Sequence, residues 1–370
     1  MKTLRFFFIV MLVPLLVYAQ YVSIPAARYG LSIGNSNNFT GLRINWSDRN
    51  VEKIKGLNIT LWRAKNNKNA IVEGASFGLM PEAKSMYGLQ AGLLGISASK
   101  ETVGINLGLL GVGAENNING LNLAGLGMGS GTSISGISLC GIGLASGGTV
   151  SGISFAGLAL GAGESLKGLN IASLGVGAGE NIKGITLAGL GVGCGQSITG
   201  LTIAGFGAGA GESVSGLTVA GLGVGAGKQM TGIQIALFGL GAGKRLKGVN
   251  IAGFGLGAGE EVSWLNIAGF GVGSKNIKGL TIAGFAAGGE HISGVTLTLG
   301  QIRVKNNGKY KGFALSSFNY FKGEQIGVAV GLFNYAKRLH GVQIGLVNYV
   351  KENPLFLRYM PLINFNFSGK

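Results

Sequence analysis

The sequence predicts an all-β protein built from tandem, Gly-rich strand repeats of 14–16 residues. Glycine accounts for 72 of the 370 residues, and an anchoring glycine recurs every 16 residues from Gly104 to Gly248. Within each repeat the apolar residues follow period two, the spacing of a strand. With 46% hydrophobic residues and five prolines, the composition excludes collagen, a disordered chain and an ordinary soluble enzyme.

A typical repeat reads GVNIAGFGLGAGEEVS at residues 248–263. Its apolar residues change parity at Ala252-Gly253, where a one-residue bulge would return them all to one face. The opposite face would then carry Asn250 and the glycines that follow it. Trp264 takes the next anchor position, and Gly279 and Gly294 follow at a spacing of 15.

Two architectures satisfy this pattern. The preferred one is an outer-membrane β-barrel of roughly 20–22 strands, because a tilted strand of about 11 residues spans a bilayer's apolar band. Its lipid-facing residues in one repeat would be Leu201, Ile203, Phe206, Ala208 and Ala210. The alternative is a parallel β-solenoid in which each repeat is one coil and the apolar face fills the core.

The turns favour the solenoid, because they show no alternation between short turns and long loops. The ends of the chain favour the barrel. Residues 41–47 (GLRINWS) alternate polar and apolar side chains, and residues 361–367 (PLINFNF) form an aromatic-ended amphipathic strand. Tyr320, Tyr335 and Tyr349 are expected near strand ends, where aromatic girdles occur.

The chain divides by composition into four segments. Residues 1–19 predict a secretory signal peptide, with Lys2 and Arg5 ahead of a 12-residue apolar stretch and a cleavage site after Ala19. Amphipathic strands are expected in residues 20–103, the Gly-rich repeats in 104–294, and further amphipathic strands with a closing strand in 295–370. We therefore expect an exported protein of the outer membrane or, alternatively, of the cell surface or the extracellular space.

The positive charge lies in the flanks of the chain. Residues 104–294 carry eight Lys or Arg against seven Glu, whereas residues 295–370 carry ten against two. Basic runs at 63–68 and 303–311 are expected to be polar loop tips. The expected partners are outer-membrane lipid and, at these loops, anionic glycan or lipid phosphates. A merely solvated loop is the simpler interpretation, and nucleic acid is not expected.

No catalytic, cofactor-binding or metal-binding residues are predicted, and no cofactor. Cys140 and Cys194 are expected to be separate packed thiols. His291 and His340 are placed in turns with no second ligand nearby. Asp48 is the only Asp and would have to serve any Ser-His-Asp relay. The paired Glu260-Glu261 is explained by solvation of a turn.

The segment IGVAVGLFNYAKRLHGVQIGLVNYVKENP (residues 326–354), with the ending PLINFNF, resembles bacterial surface-repeat proteins built from GVQIGLVN-like units. GLRINWSDRN (41–50) and GLNITLWRAK (56–65) resemble them as well. The central repeats keep the anchor glycine but lack the Gly-Leu-Val-Asn element. The resemblance implies an exported, surface- or outer-membrane-associated protein without assigned catalysis.

Together these observations predict a non-enzymatic outer-membrane β-repeat protein, acting as a passive pore or a structural envelope component. The alternative is a secreted or surface β-solenoid that acts as a binding or adhesion module. In that solenoid the turn residues would form one row along the molecule, including Glu212, Lys228, Lys244 and Arg245. Such a row could be a binding edge or simply a solubilising one.

Overall fold

The computed structural model of the chain describes residues 20–367. The predicted signal peptide, residues 1–19, lies outside the described residues. The described residues form two compact units, 20–178 and 179–367, which are unit 1 and unit 2 below. Both units consist almost entirely of strands, as predicted.

Unit 1 contains sixteen strands. Their bounds are β1 Tyr21–Ala26, β2 Tyr29–Gly34, β3 Asn38–Asn45, β4 Lys53–Thr60, β5 Ile71–Gly78, β6 Glu82–Gly92, β7 Gly95–Gly108, β8 Gly111–Ala114, β9 Asn117–Ala124, β10 Gly127–Ser130, β11 Ser133–Cys140, β12 Gly143–Ser146, β13 Thr149–Ala156, β14 Ala159–Ala162, β15 Ser165–Ala172 and β16 Gly175–Ala178.

Unit 2 contains the other sixteen strands and, between the last two of them, a 3-10 helix at Leu355–Leu357. The strand bounds are β17 Asn181–Ala188, β18 Gly191–Cys194, β19 Ser197–Ala204, β20 Gly207–Ala210, β21 Ser213–Ala220, β22 Gly223–Ala226, β23 Gln229–Ala236, β24 Gly239–Ala242, β25 Arg245–Ala252, β26 Gly255–Ala268, β27 Gly271–Ala283, β28 Ala286–Thr298, β29 Gln301–Leu315, β30 Phe318–Val330, β31 Phe333–Val350 and β32 Tyr359–Asn366.

Apart from the first strand and the last, which pair antiparallel, the strands pair in parallel, each with its equivalent in the next repeat. In unit 1, Gly120 of β9 is opposite Gly136 of β11, and in unit 2, Gly200 of β19 is opposite Gly216 of β21. Partners are therefore one 16-residue repeat apart, so each repeat is one coil of a parallel β-solenoid. The preferred barrel prediction is wrong, because a barrel needs antiparallel hairpins between consecutive strands. The solenoid alternative is confirmed.

Each coil has three outward sides, which the coil Gly200–Ser215 and the glycine after it illustrate. Side B follows the anchor glycine and comprises Leu201–Ala204, and side C is the short strand Gly207–Ala210. Side A comprises the turn residue Glu212 and the strand residues Ser213–Gly216. Inward and outward residues alternate along each side, and this alternation breaks at three corners. The anchor glycine makes one corner with a positive φ, as at Gly200 (φ +119°).

Glycine predominates at the corners because successive coils touch there. A Cβ atom on Gly200 would lie 2.1 Å from the carbonyl oxygen of Gly184, and one on Gly205 would lie 1.8 Å from that of Gly189. Side C has space for a side chain, because a Cβ atom on Gly209 would lie no closer than 3.8 Å to any other atom. The side C glycines are therefore not required by the stacking of the coils.

The interior is built from columns of equivalent residues. Val214 and Ile198 belong to an apolar column under side A, and Ala204 and Ala208 fill the narrow interior elsewhere. Under side B the interior column is polar, with Thr202 and its counterparts buried. Ala208 and Ala210 are thus core residues, not lipid-facing ones, whereas Leu201, Ile203 and Phe206 of the same predicted face point outward.

Asn250 shows the same reversal. The barrel interpretation placed it on a bare glycine face, but its side chain is fully buried and donates to the side-chain oxygen of Asn266 at 2.9 Å. The described part of the chain begins and ends with antiparallel pairs: β1 pairs with β2, and β32 pairs with β31. In the closing strand Asn364 points inward and Phe365 outward, which agrees with the predicted alternation.

Candidate binding surface

Side A carries the charge of the central repeats, and most of its counter-charges are close by. Lys228 Nζ lies 2.6 Å from Glu212 Oε1, and Arg245 Nε lies 3.4 Å from Glu260 Oε2. Successive turns also hydrogen-bond through their backbones, as from Lys244 N to Lys228 O. The predicted row of turn residues therefore exists, but its ion pairs largely neutralise it.

Side C changes character along unit 2. From Gly191 to Gly273 its two outward columns are glycine in every coil. Beyond Gly273 one of these columns continues with larger residues. Gly288 is paired with Arg303, Arg303 with Tyr320, and Tyr320 with Tyr335. The flat glycine strip therefore leads into a region of large side chains in the same sheet face.

The large side chains of side C form an aromatic column. Ring centroids are separated by 4.8 Å between Tyr320 and Tyr335, 5.4 Å between Tyr335 and Tyr349, and 4.5 Å between Tyr349 and Tyr359. Burial, together with the neighbouring Tyr320 and Tyr349, raises the pKa of the Tyr335 hydroxyl. Tyr320, Tyr335 and Tyr349 lie within three residues of a strand end, as predicted, but they stack along one side of the solenoid rather than around a barrel.

Three cations meet beside this column. Arg303, Lys305 and Lys322 line a notch of about 680 Å³ whose remaining wall includes Gly288, Gly289 and Glu290. Lys305 Nζ is 4.0 Å from Glu290 Oε1, and Lys322 Nζ lies 5.6 Å from the centre of the Tyr320 ring. Within residues 20–367 no carboxylate lies within 4 Å of Arg303 or Lys322. We call this site the basic notch.

The basic notch arises from a longer coil. Eighteen residues separate Gly294 from Gly312, and pairing with β28 shifts between Gly289 and His291 to accommodate the extra residues. The run 303–311 was predicted to be a loop tip, but it lies within β29, and Tyr310 inside it is fully buried. The run 63–68 is a loop as predicted, although Ala64 and Asn67 are buried.

Asp48 is not available for a catalytic relay. Its carboxylate accepts hydrogen bonds from Arg43, Asn45, Asn58 and Thr60 in the interior of unit 1. Burial acts to raise the pKa of this carboxyl, but the Arg43 charge and the hydrogen bonds outweigh it and hold the pKa below its usual value. Asp48 therefore has a structural role.

The remaining reactive side chains are separate from one another. Cys140 is a free, buried thiol, and Cys194 is a free, half-buried thiol whose pKa is raised by burial. His291 and His340 lie in strands β28 and β31 rather than in turns. Glu261 is bound to Lys278 at 2.7 Å, and this hydrogen bond lowers the pKa of its carboxyl.

The side chains of His, Cys, Asp and Glu in the described part of the chain form no group of three that could hold a metal ion. Sequence reasoning missed the basic notch, although it singled out the run that contains Arg303 and Lys305. Lys322 joins them only because its coil stacks on theirs. The one available signal was the lengthening of the repeat from 15 residues before Gly294 to 18 residues after it.

Among residues 20–367 there is no helix with the length and hydrophobicity needed to cross a membrane. The chain matches no protein-family model, no curated protein and no solved structure.

Proposed function

We propose that this protein is an exported, non-enzymatic β-solenoid of the cell surface or outer membrane that binds anionic groups on an extended partner. The bound groups are phosphates or carboxylates of a glycan or of lipid headgroups. The observation that carries the proposal is the basic notch, where Arg303, Lys305 and Lys322 meet beside a bare glycine strip. A solenoid suits this role because its repeated sides present long, flat binding surfaces.

The charge balance of the notch supports an anionic ligand. It contains three cations and one carboxylate, and that carboxylate is at the limit of ion-pair distance from Lys305. Arginine offers a planar donor fork that matches carboxylate and phosphate oxygens, and lysine adds a mobile point charge. On side A, by contrast, Lys228 and Arg245 already have carboxylate partners.

The neighbouring surface supports a partner that is long rather than small. The glycine strip on one side of the notch lets a ligand approach the backbone closely. The tyrosine column on the other side, ending at the exposed Tyr359, combines apolar ring area with hydroxyl groups. A hydroxylated, anionic polymer would contact all three regions at once.

Binding of the purified full chain to defined polymers tests the proposal. The probes are polygalacturonate, neutral dextran, and vesicles of phosphatidylglycerol or of phosphatidylcholine. We expect binding to polygalacturonate or to phosphatidylglycerol vesicles, and none to dextran or phosphatidylcholine. The two positive probes separate a glycan from a lipid source of the anionic group.

A matched pair of double variants locates the site. Arg303→Gln/Lys322→Gln removes two cations of the notch, and Lys228→Gln/Lys244→Gln removes two from side A. We expect the notch variant to weaken binding about tenfold or more, since each charge-assisted contact contributes about 1.5–3 kcal/mol before solvent screening. The side A variant should bind within about twofold of wild type. Equal losses in both variants would show attraction by net charge alone and would refute the notch.

A further inference from the structure

Side B of unit 2 has an outward pattern unlike that of a surface in contact with water. In all eleven coils anchored from Gly184 to Gly341, both outward side chains of side B are Leu, Ile, Val or Phe. Ile203 and Ile233, for example, are 43% and 42% exposed. Leu or Phe side chains at the next corner extend the same apolar surface, among them Phe206 and Phe254.

Beneath this apolar surface lies the polar column of the interior. Thr202 and Asn250 point inward on side B while their apolar neighbours point outward. Side A of the same coils has the opposite arrangement, with Val214 inside and Ser213 and Ser215 outside. Since one coil contains both arrangements, the apolar exterior is a property of side B alone. A contiguous apolar surface of this size marks an interaction site.

The dimensions of side B match a protein interface. Eleven coils give ten spacings of about 4.8 Å, a length of about 48 Å, and the section from the side B residues to the corner is about 17 Å wide. The flat area is about 800 Å², which equals the area per partner of a standard protein–protein interface. Side B of unit 2 is therefore large enough to form a protein–protein interface by itself.

A second copy of the chain complements this surface in two ways. Its side B has the same spacing between ridges of side chains, so ridges of one copy fit furrows of the other along the whole length. Its side B also has no charged residue that pairing would bury.

Trp264 gives an independent indication that this surface is covered. It occupies an anchor position, at the edge of side B, where the other coils have glycine, and its φ is +86°. Such a backbone is strained for a bulky residue. The side chain is 73% exposed, and no aromatic ring among residues 20–367 stacks on it. Among the described residues, no aromatic contact offsets the strained backbone of Trp264. This points to a contact between Trp264 and a partner.

We propose that two copies of this chain pair through side B of unit 2, with Trp264 as an anchor at the edge of the interface. Two-fold pairing of this kind is closed, because each copy covers the apolar surface of the other. The interface is distinct from the basic notch, which lies on side C.

Sedimentation velocity of the purified full chain from about 1 to 100 µM tests the pairing. We expect wild type to be a dimer over most of this range. Ile203→Lys/Ile233→Lys places two charges on side B and should yield a folded monomer, with unchanged circular dichroism. The matched control, Ser215→Lys/Thr231→Lys, adds the same charge on side A and should remain a dimer.

Trp264→Gly separates strain from binding. We expect its melting temperature to rise by a few degrees and its dimer dissociation constant to increase about tenfold. A rise in melting temperature with unchanged association would remove Trp264 from the interface.

A wild-type chain that stays monomeric at 100 µM would overturn the pairing, and flotation with phosphatidylethanolamine–phosphatidylglycerol vesicles would then assign side B to lipid. Equal weakening by the side A and side B variants would also overturn it. Failure of the pairing leaves the proposed function intact, because a monomer with an intact notch can still bind polygalacturonate.

Discussion

The guanidinium of Arg43 donates a hydrogen bond to the carboxylate of Asp48 inside the first coils of unit 1, where the two side chains are 0% and 5% exposed. Arg43 also donates to Asn58 at 2.7 Å and to Asn35 at 3.0 Å. Asp48 accepts from Thr60 at 2.9 Å. The pair thus links residues of three successive coils through one polar network.

Removing one member of this pair should be strongly destabilising. Asp48→Asn leaves the Arg43 charge buried without a counter-charge, and we expect a loss of about 3–5 kcal/mol in the free energy of unfolding. Arg43→Gln/Asp48→Asn removes both charges and should lose less than the sum of the single changes. Urea denaturation measures all three. Lys228→Gln, which breaks an exposed ion pair, is the control and should lose less than about 1 kcal/mol.

The same pair predicts a dependence of stability on pH. The pKa of Asp48 is lower in the folded chain than in the unfolded chain, so its contribution is present above the unfolded value of about 4. It is lost as the pH falls below that value, when the unfolded state binds the proton more readily. Wild type should therefore lose more stability than Arg43→Gln/Asp48→Asn on acidification. Parallel acid titrations of the two proteins would contradict this assignment.

The corner glycines and the side C glycines should respond differently to substitution. Gly200→Ala places a Cβ atom 2.1 Å from a carbonyl oxygen and requires a positive φ, so we expect a loss of at least about 2 kcal/mol. Gly209→Ala has open space around its Cβ atom and should change stability by less than about 0.5 kcal/mol. Thermal denaturation of the two variants checks the difference, and equal losses would mean that the coils do not stack through the anchor glycines.

The repeat length, the strands and the break in alternation at Ala252-Gly253 follow from the sequence, because each depends on local spacing. The side on which a residue lies does not. Val249 and Ile251 share one parity and Leu256 the other, which suggested a single apolar face restored by a bulge. In the structure the corner turns the chain instead, so that Ile251 points outward and Leu256 inward.

The choice between barrel and solenoid depends on hydrogen-bond partners rather than on pattern. A polar interior with an apolar exterior, as at Arg43 and Ile44, is what a barrel strand would show, and side B has the same arrangement. Only the parallel register of Gly200 with Gly216 separates the two folds. The basic notch is likewise beyond local pattern, since Lys322 meets Arg303 through stacking of coils.

The polar column under side B contains a buried hydroxyl group whose removal should stabilise the protein. Thr218 is fully buried, and its hydroxyl has no hydrogen-bond partner. Thr218→Val keeps the shape and removes the buried polar group, so we expect a gain of about 1 kcal/mol in the free energy of unfolding. Asn122→Leu is the contrast, because Asn122 accepts from Asn106 at 2.7 Å and should lose stability when replaced. Denaturant unfolding that shows Thr218→Val to be less stable than wild type would indicate a partner for this hydroxyl.

Tyr310 predicts an alkaline limit to stability. It is buried against Phe321 with ring centroids 4.7 Å apart, and its hydroxyl donates to the carbonyl oxygen of Phe313 at 2.5 Å. Burial raises the pKa of Tyr310 to about 12. In the unfolded chain tyrosine ionises near pH 10, so the unfolded state gains stability between about pH 10 and 12, by up to about 2.7 kcal/mol. Tyr310→Phe cannot ionise and should lose correspondingly less stability over this range, which denaturation at pH 9 and pH 11.5 measures. Identical alkaline losses in both proteins would show that Tyr310 is accessible to solvent.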